Sequence, residues 1–137
     1  MDFAGNPLLE GPLPPSIGES CPRLQSLVLA GCYRLNGPIP PSLGLCAALE
    51  TLDLASTMVE GPIPEELCRC TSLATLSLSR CSRVEGSLPE RIGDLRRLCD
   101  LNLGTWGIHT CAGRREGETE RIESTRTASR MERCFKR

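Results

Sequence analysis

The chain is poor in aromatic residues, which make up 3% of its 137 positions: Phe3, Tyr33, Trp106 and Phe135. A core must therefore be aliphatic, and so few aromatics argue against a base-stacking platform for nucleic acid. There is one histidine, His109, so any serine or cysteine triad would have to be built around it. No apolar run approaches the ~18 residues that a membrane span needs. The N-terminus, Met-Asp-Phe-Ala-Gly-Asn-Pro, lacks the basic and apolar regions of a secretory signal. No Asn-x-Ser/Thr acceptor occurs, because Asn6, Asn36 and Asn102 are followed two places on by Leu8, Pro38 and Gly104. A formal charge of −1 argues against a dominant polyanion-binding role. No phosphate loop, nucleophile elbow, His-Glu-x-x-His or kinase loop is found. The sequence offers no catalytic residue and no cofactor site, and it reads as a non-enzyme.

What the chain does have is a repeat. Gly11-Pro-Leu-Pro, Gly37-Pro-Ile-Pro, Gly61-Pro-Ile-Pro and Gly86-Ser-Leu-Pro begin 26, 24 and 25 residues apart. A Leu-x-x-Leu-x-Leu motif keeps the same rhythm at Leu24/Leu27/Leu29, Leu49/Leu52/Leu54, Leu73/Leu76/Leu78 and Leu98/Leu101/Leu103. Two independent motifs sharing one period define a structural unit of about 25 residues.

The alternation in Leu-x-Leu puts two leucines on one face of a short strand and the intervening residues on the other. One such unit cannot bury its apolar face alone, so neighbouring units must stack and share it. Their strands then pair as a parallel sheet about 4.8 Å apart. Glycine supplies a turn and proline an extended backbone without an N–H, which suits the outer wall better than a central ladder.

These residues resemble the plant-type leucine-rich repeat, L-x-x-L-x-L-x-x-N-x-L-x-G-x-I-P-x-x-L-G-x-L. The second turn carries it as Leu49, Leu52, Leu54, Thr57, Val59, Gly61, Ile63, Pro64 and Leu67. Four turns are covered, roughly residues 3 to 105, with Phe3 and Asn6 matching the end of an earlier strand. The resemblance implies an α/β solenoid with a concave parallel β-sheet, short helical turns and extended proline-rich segments on the convex side, and recognition of a protein or peptide. The family's asparagine position reads Asn6, Cys32, Thr57, Cys81 and Trp106, and thiols donate weakly, so this ladder should be softer than usual. The turns at Cys32 and Cys81 carry one extra residue before Leu35 and Val84.

The nine cysteines include no Cys-x-x-Cys pair. Cys21, Cys46 and Cys70 each stand three residues before a strand leucine, where the fourth turn has Leu95, and read as small buried hydrophobes. In-register side chains point the same way, which disfavours a disulfide, and reduced thiols are expected. His109, Cys111, Cys99 and Cys134 match no common zinc spacing, so no metal site is assigned, and packing accounts for Cys99. Glu65 and Glu66 follow Pro64 where a helical turn should begin, a favoured place for carboxylates.

The concave face is read as the residues between the strand leucines. The candidate partner-binding residues are Thr51, Asp53, Thr75, Ser77, Arg80, Asp100 and Asn102, flanked by small residues such as Ser26, Ala55 and Ser79. The surface is polar and mildly acidic, suited to a polar or basic peptide. It lacks the Trp, Tyr and Arg anchors of tight interfaces, and a bare sheet without a ligand is the alternative. Unpaired strand groups at the ends of the stack leave end-to-end self-association open.

Residues 1–111 are expected to form the repeat domain, with Trp106 to Ile108 folding over its last turn. Residues 112–137 are expected to be a charged, disordered tail of net charge +3, from eight basic and five acidic residues, against −4 before it. As given, with no specific nucleic-acid motif, signal or membrane span, the chain reads as a cytoplasmic interaction module. The alternative is a stretch of a larger receptor-like protein or receptor kinase, which would put it outside the cell or at the membrane.

Overall fold

The computed structural model describes residues 1–104. The expected tail, the cap at Trp106, and His109 and Cys111 lie outside them. The order of elements is β1 (Glu10–Pro12), α1 (Ile17–Ser20), β2 (Ser26–Val28), β3 (Arg34–Pro38), β4 (Thr51–Asp53), β5 (Met58–Gly61), β6 (Thr75–Ser77), β7 (Arg83–Val84) and β8 (Asp100–Asn102). Single turns of 3-10 helix at Pro41–Leu45, Glu65–Arg69 and Glu90–Asp94 follow β3, β5 and β7. An opening partial turn thus precedes turn one (24–48), turn two (49–72) and turn three (73–97), and β8 begins turn four. Proline immediately before each 3-10 segment stops a preceding helix and pre-sets its start.

The leucine motif makes the expected parallel sheet, in the order β2-β4-β6-β8. Its register is that of the repeat, with Leu27, Leu52, Leu76 and Leu101 in one row. Residues 1–5 lie beside β2 as the end of a further strand: Phe3 N–H donates to Val28 O (2.8 Å) and Gly5 N–H to Ala30 O (2.7 Å).

A second parallel sheet, β1-β3-β5-β7, was not expected from the sequence. Pro12 and Pro38 end their strands, so their missing N–H groups interrupt nothing in the middle of the ladder. Its register is offset by two residues from the repeat, pairing Gly11 with Leu35 and Gly61 with Val84. The offset sets Glu10 against Arg34 and Glu60 against Arg83, and both pairs form ion pairs at 3.2 and 3.7 Å. The extra residues of turns one and three, Tyr33 and Ser82, stand exposed just before β3 and β7.

The core is aliphatic, as the composition requires. Turn two alone buries Leu49, Leu52, Leu54, Val59, Ile63 and Leu67, each worth about 1.5–3 kcal/mol of transfer free energy. Cysteines complete it. The thiols of Cys46 and Cys70 donate to Cys21 O (3.3 Å) and Leu43 O (3.2 Å), each a carbonyl of the preceding turn. Burial raises the pKa of both, that of Cys70 to about 11. At the asparagine position Cys32 donates to Phe3 O (3.2 Å) and Cys81 to Leu54 O (3.0 Å). Thr57 donates to Leu54 O of its own turn (2.7 Å). A ladder of side chain–backbone bonds is therefore retained, with thiols as its donors. Cys99 differs from expectation: it is exposed, its thiol directed to Arg97 O, because the position before a strand faces outward.

Candidate interaction face

The outward residues of the leucine sheet form two straight columns. One is Ser26, Thr51, Thr75 and Asp100; the other is Val28, Asp53, Ser77 and Asn102. Parallel, in-register pairing brings the side chains of each column side by side. Six of the seven candidate residues stand on these columns. Arg80 does not; it lies beyond β6 in the connection to β7.

Exposure is uneven over the sheet and greatest at β8, the last strand described. Thr51, Asp53 and Thr75 are half-buried, Ser77 is buried, and Asp100 and Asn102 are exposed. Ser77 is therefore the least reachable of the candidates. Two of the polar residues also have work inside the chain. Asp53 Oδ1 accepts from Ala55 N–H (3.0 Å) and Asn102 Oδ1 from Gly104 N–H (3.1 Å), each closing the end of its strand. Asp2 does the same for Ala4 N–H (3.0 Å) at the equivalent place. Asp53 keeps its second carboxylate oxygen clear of that bond. Glu50, exposed immediately before β4, adds a third carboxylate near this face. The leucine alternation did not reveal it, because Glu50 precedes the Leu-x-Leu pair.

Arg80 is placed by its backbone. Gly5, Gly31, Ser56 and Arg80 occupy one column, and all four have positive φ (67°, 77°, 55° and 61°). The chain turns there from one sheet toward the other in a left-handed conformation that glycine adopts freely and Ser56 and Arg80 adopt at a cost of about 1–2 kcal/mol. The Arg80 side chain is exposed beside the end of the columns.

Among the described residues no group of three or more His, Cys, Asp or Glu is placed to hold a metal ion. No helix there is long and apolar enough to cross a membrane.

The Leucine Rich Repeat family matches residues 48–70, the second turn. No curated protein sequence matches the chain. Solved structures do. The chain is 35% identical to one in the crystal structure of PEPR1–AtPEP1, with a TM-score of 0.71 over 76% of its own length and 14% of that chain. It is 32% identical to the Arabidopsis receptor kinase HAESA ectodomain, solved with an IDA peptide hormone ligand, with a TM-score of 0.68 over 74% of its length and 17% of that chain. It is 31% identical to a plant ice-binding protein, with a TM-score of 0.69 over 76% of its length and 33% of that chain. The chain thus spans a third or less of each of these three. By its repeat, its leucine sheet and these likenesses, the chain has the leucine-rich repeat fold of these plant proteins.

Proposed function

We propose that the sheet β2-β4-β6-β8 receives an extended polar or basic peptide segment, and that the protein acts as a non-catalytic recognition module. The observation that carries this reading is the pair of in-register outward columns. They present small side chains and the carboxylates of Asp53 and Asp100 on an open sheet face. Small side chains let a peptide approach closely, and acidic groups favour a basic one. Leucine-rich repeats are in general interaction modules, and PEPR1 and HAESA were solved with the partners named above.

The test is retention of synthetic dodecapeptides, one set basic and one acidic, on the immobilised full chain. Asp53→Asn and Asp100→Asn remove the charges while keeping the shape, and Asn102 already makes the same strand-end bond that Asp53 makes. Basic peptides should be retained by the parent and at least ~10-fold less by the double variant, with unchanged circular dichroism; this corresponds to about 1.4 kcal/mol. Retention that survives both changes, or favours acidic peptides, would sink the proposal.

A second reading is that these turns belong to a longer receptor-like chain displayed outside the cell. It is supported by the short share of PEPR1 and HAESA that the chain spans. The intact mass of the endogenous product, captured through residues 60–90, separates the two: near 14.9 kDa for the chain alone, much larger for a receptor.

A further inference from the structure

The convex side contains a column whose members differ in one respect. Gly18, Gly44, Cys68 and Gly93 follow Ile17, Leu43, Leu67 and Ile92 in successive turns. At Gly18 an added Cβ would overlap the carbonyl of Ser42, and at Gly44 it would overlap that of Glu66. The helical segments of adjacent turns are therefore in backbone contact at this column, and only a glycine permits it. Turn two has Cys68 there instead. A side chain of two heavy atoms stands where the preceding turns have none.

The packing responds. Glu90–Asp94 lies much more loosely against Glu65–Arg69 than Pro41–Leu45 does, and more loosely than α1 against Pro41–Leu45. Position at an end of the described stack does not account for this, since α1 is also at an end. Other fastenings thin out on the same side. β7 pairs with β5 over two residues, where β3 pairs with each neighbour over three. Leu95 stands at the place of Cys46 and Cys70, so no thiol donates back to turn two there. Among the described residues one exposed side-chain bond, Glu90 N–H to Glu65 Oε1 (2.9 Å), spans the gap. On the opposite side the join is intact. β4 and β6 pair in full, Cys81 donates to Leu54 O, and its sulfur lies 3.6 Å from the Thr57 hydroxyl.

We propose that Cys68 makes a hinge between turns two and three. The pairing of β4 with β6 is the axis, and the helical side opens and closes around the thiol. Turn three and β8 move as a body. Opening exposes Cys68 and tilts β6 and β8, and with them Asp100 and Asn102, toward whatever lies on the leucine sheet. Cys68 is the natural reporter, being buried in the closed form.

The experiment is amide exchange on the full chain, resolved by residue. The Ile92 and Leu95 amides, bonded to Pro89 O and Ile92 O, are compared with the Leu67 and Cys70 amides, bonded to Pro64 O and Leu67 O. The first pair should exchange at least ~10-fold faster. In Cys68→Gly the difference should shrink at least ~3-fold, while Leu78 N–H, which bonds Asn102 O, keeps its rate. Should Cys68→Gly fail to fold, alkylation of the unaltered chain decides: with rates corrected for the smaller ionised fraction of Cys70, Cys68 should still react well ahead of Cys70, which is also buried. Equal exchange in both pairs, an unchanged difference in Cys68→Gly, or alkylation of Cys68 and Cys70 at one rate would overturn the hinge.

Discussion

Replacing Gly44 by alanine is the sharpest probe of how these turns stack. Gly44 has no left-handed backbone to lose, so in isolation the change should stabilise by about 0.4–1 kcal/mol through a less flexible unfolded chain. Its neighbour reverses the sign. Besides overlapping the Glu66 carbonyl oxygen, the new Cβ would sit 2.7 Å from the carbonyl carbon and 2.9 Å from Glu66 Cβ. Carbon pairs settle at about 3.5–4.0 Å, so turns one and two must part by roughly 0.8 Å on that side. The obstacle is backbone, not the end of a pliable side chain, which puts the net cost near the top of the overpacking range, about 2–3 kcal/mol. For a domain of this size that is roughly 10–20 °C in Tm. Thermal melts by circular dichroism and urea midpoints on the full chain would measure it. Gly61→Ala is the contrast: nothing lies within 4 Å of its added Cβ, but its φ is +77°. It should lose about 1 kcal/mol to backbone strain, and Gly61→Asn less, since asparagine tolerates that region. The two glycines thus fail for different reasons. A Gly44→Ala protein that melts within about 2 °C of the parent would refute the backbone contact on which the reasoning rests.

Thr57→Val should cost about 1 kcal/mol rather than more, because Leu54 O keeps the Cys81 thiol as a second donor. Combined with Cys81→Ala it should cost more than the sum of the single changes, and a double-mutant cycle of urea midpoints reads the excess. Raising the pH tests the buried thiol column. Cys70 ionises near 9 when free and near 11 here, chiefly through burial. A raised folded pKa means its contribution is whole below about pH 9 and lost as pH climbs through 11. Urea midpoints should therefore fall between about pH 8 and pH 10.5 by more in the parent than in Cys70→Val. Equal falls would remove Cys70 from the account.

Much of this architecture was legible because leucine spacing and strand geometry have the same period. Leu27/Leu29, Leu52/Leu54 and Leu76/Leu78 announce both the sheet and the core, and Phe3 with Asn6 announces the strand end beside β2. The second sheet was not legible, because proline in Gly-Pro-Ile-Pro was weighed as a residue that breaks ladders. The alternation Leu35/Gly37 and the single inward Val59 and Val84 carried the signal, but over stretches too short to stand out. The glycine column stood in the repeat pattern as the glycine after the convex leucine, but its reason was not legible, because the constraint on Gly44 lies between turns rather than within one. Of the candidate face, the columns followed from alternation, whereas the burial of Ser77 and the strand-end bond of Asp53 depend on neighbours that a periodic pattern does not specify.

The offset register of the second sheet has a consequence for the order of the turns. Every strand of the leucine sheet offers its neighbours nearly the same leucines, so that sheet is indifferent to which turn follows which. The second sheet is not. Glu10 meets Arg34, Asn36 lies against Met58, and Glu60 meets Arg83. Exchanging turns one and two would leave Glu10 opposite Met58 and Asn36 opposite Arg83, preserving a single pair, Glu60 with Arg34. Each exposed pair is worth only about 0.2–1 kcal/mol. The outer wall thus holds a faint serial address, a bias toward one sequence of modules, written in charges on strands whose inner partners cannot tell the modules apart.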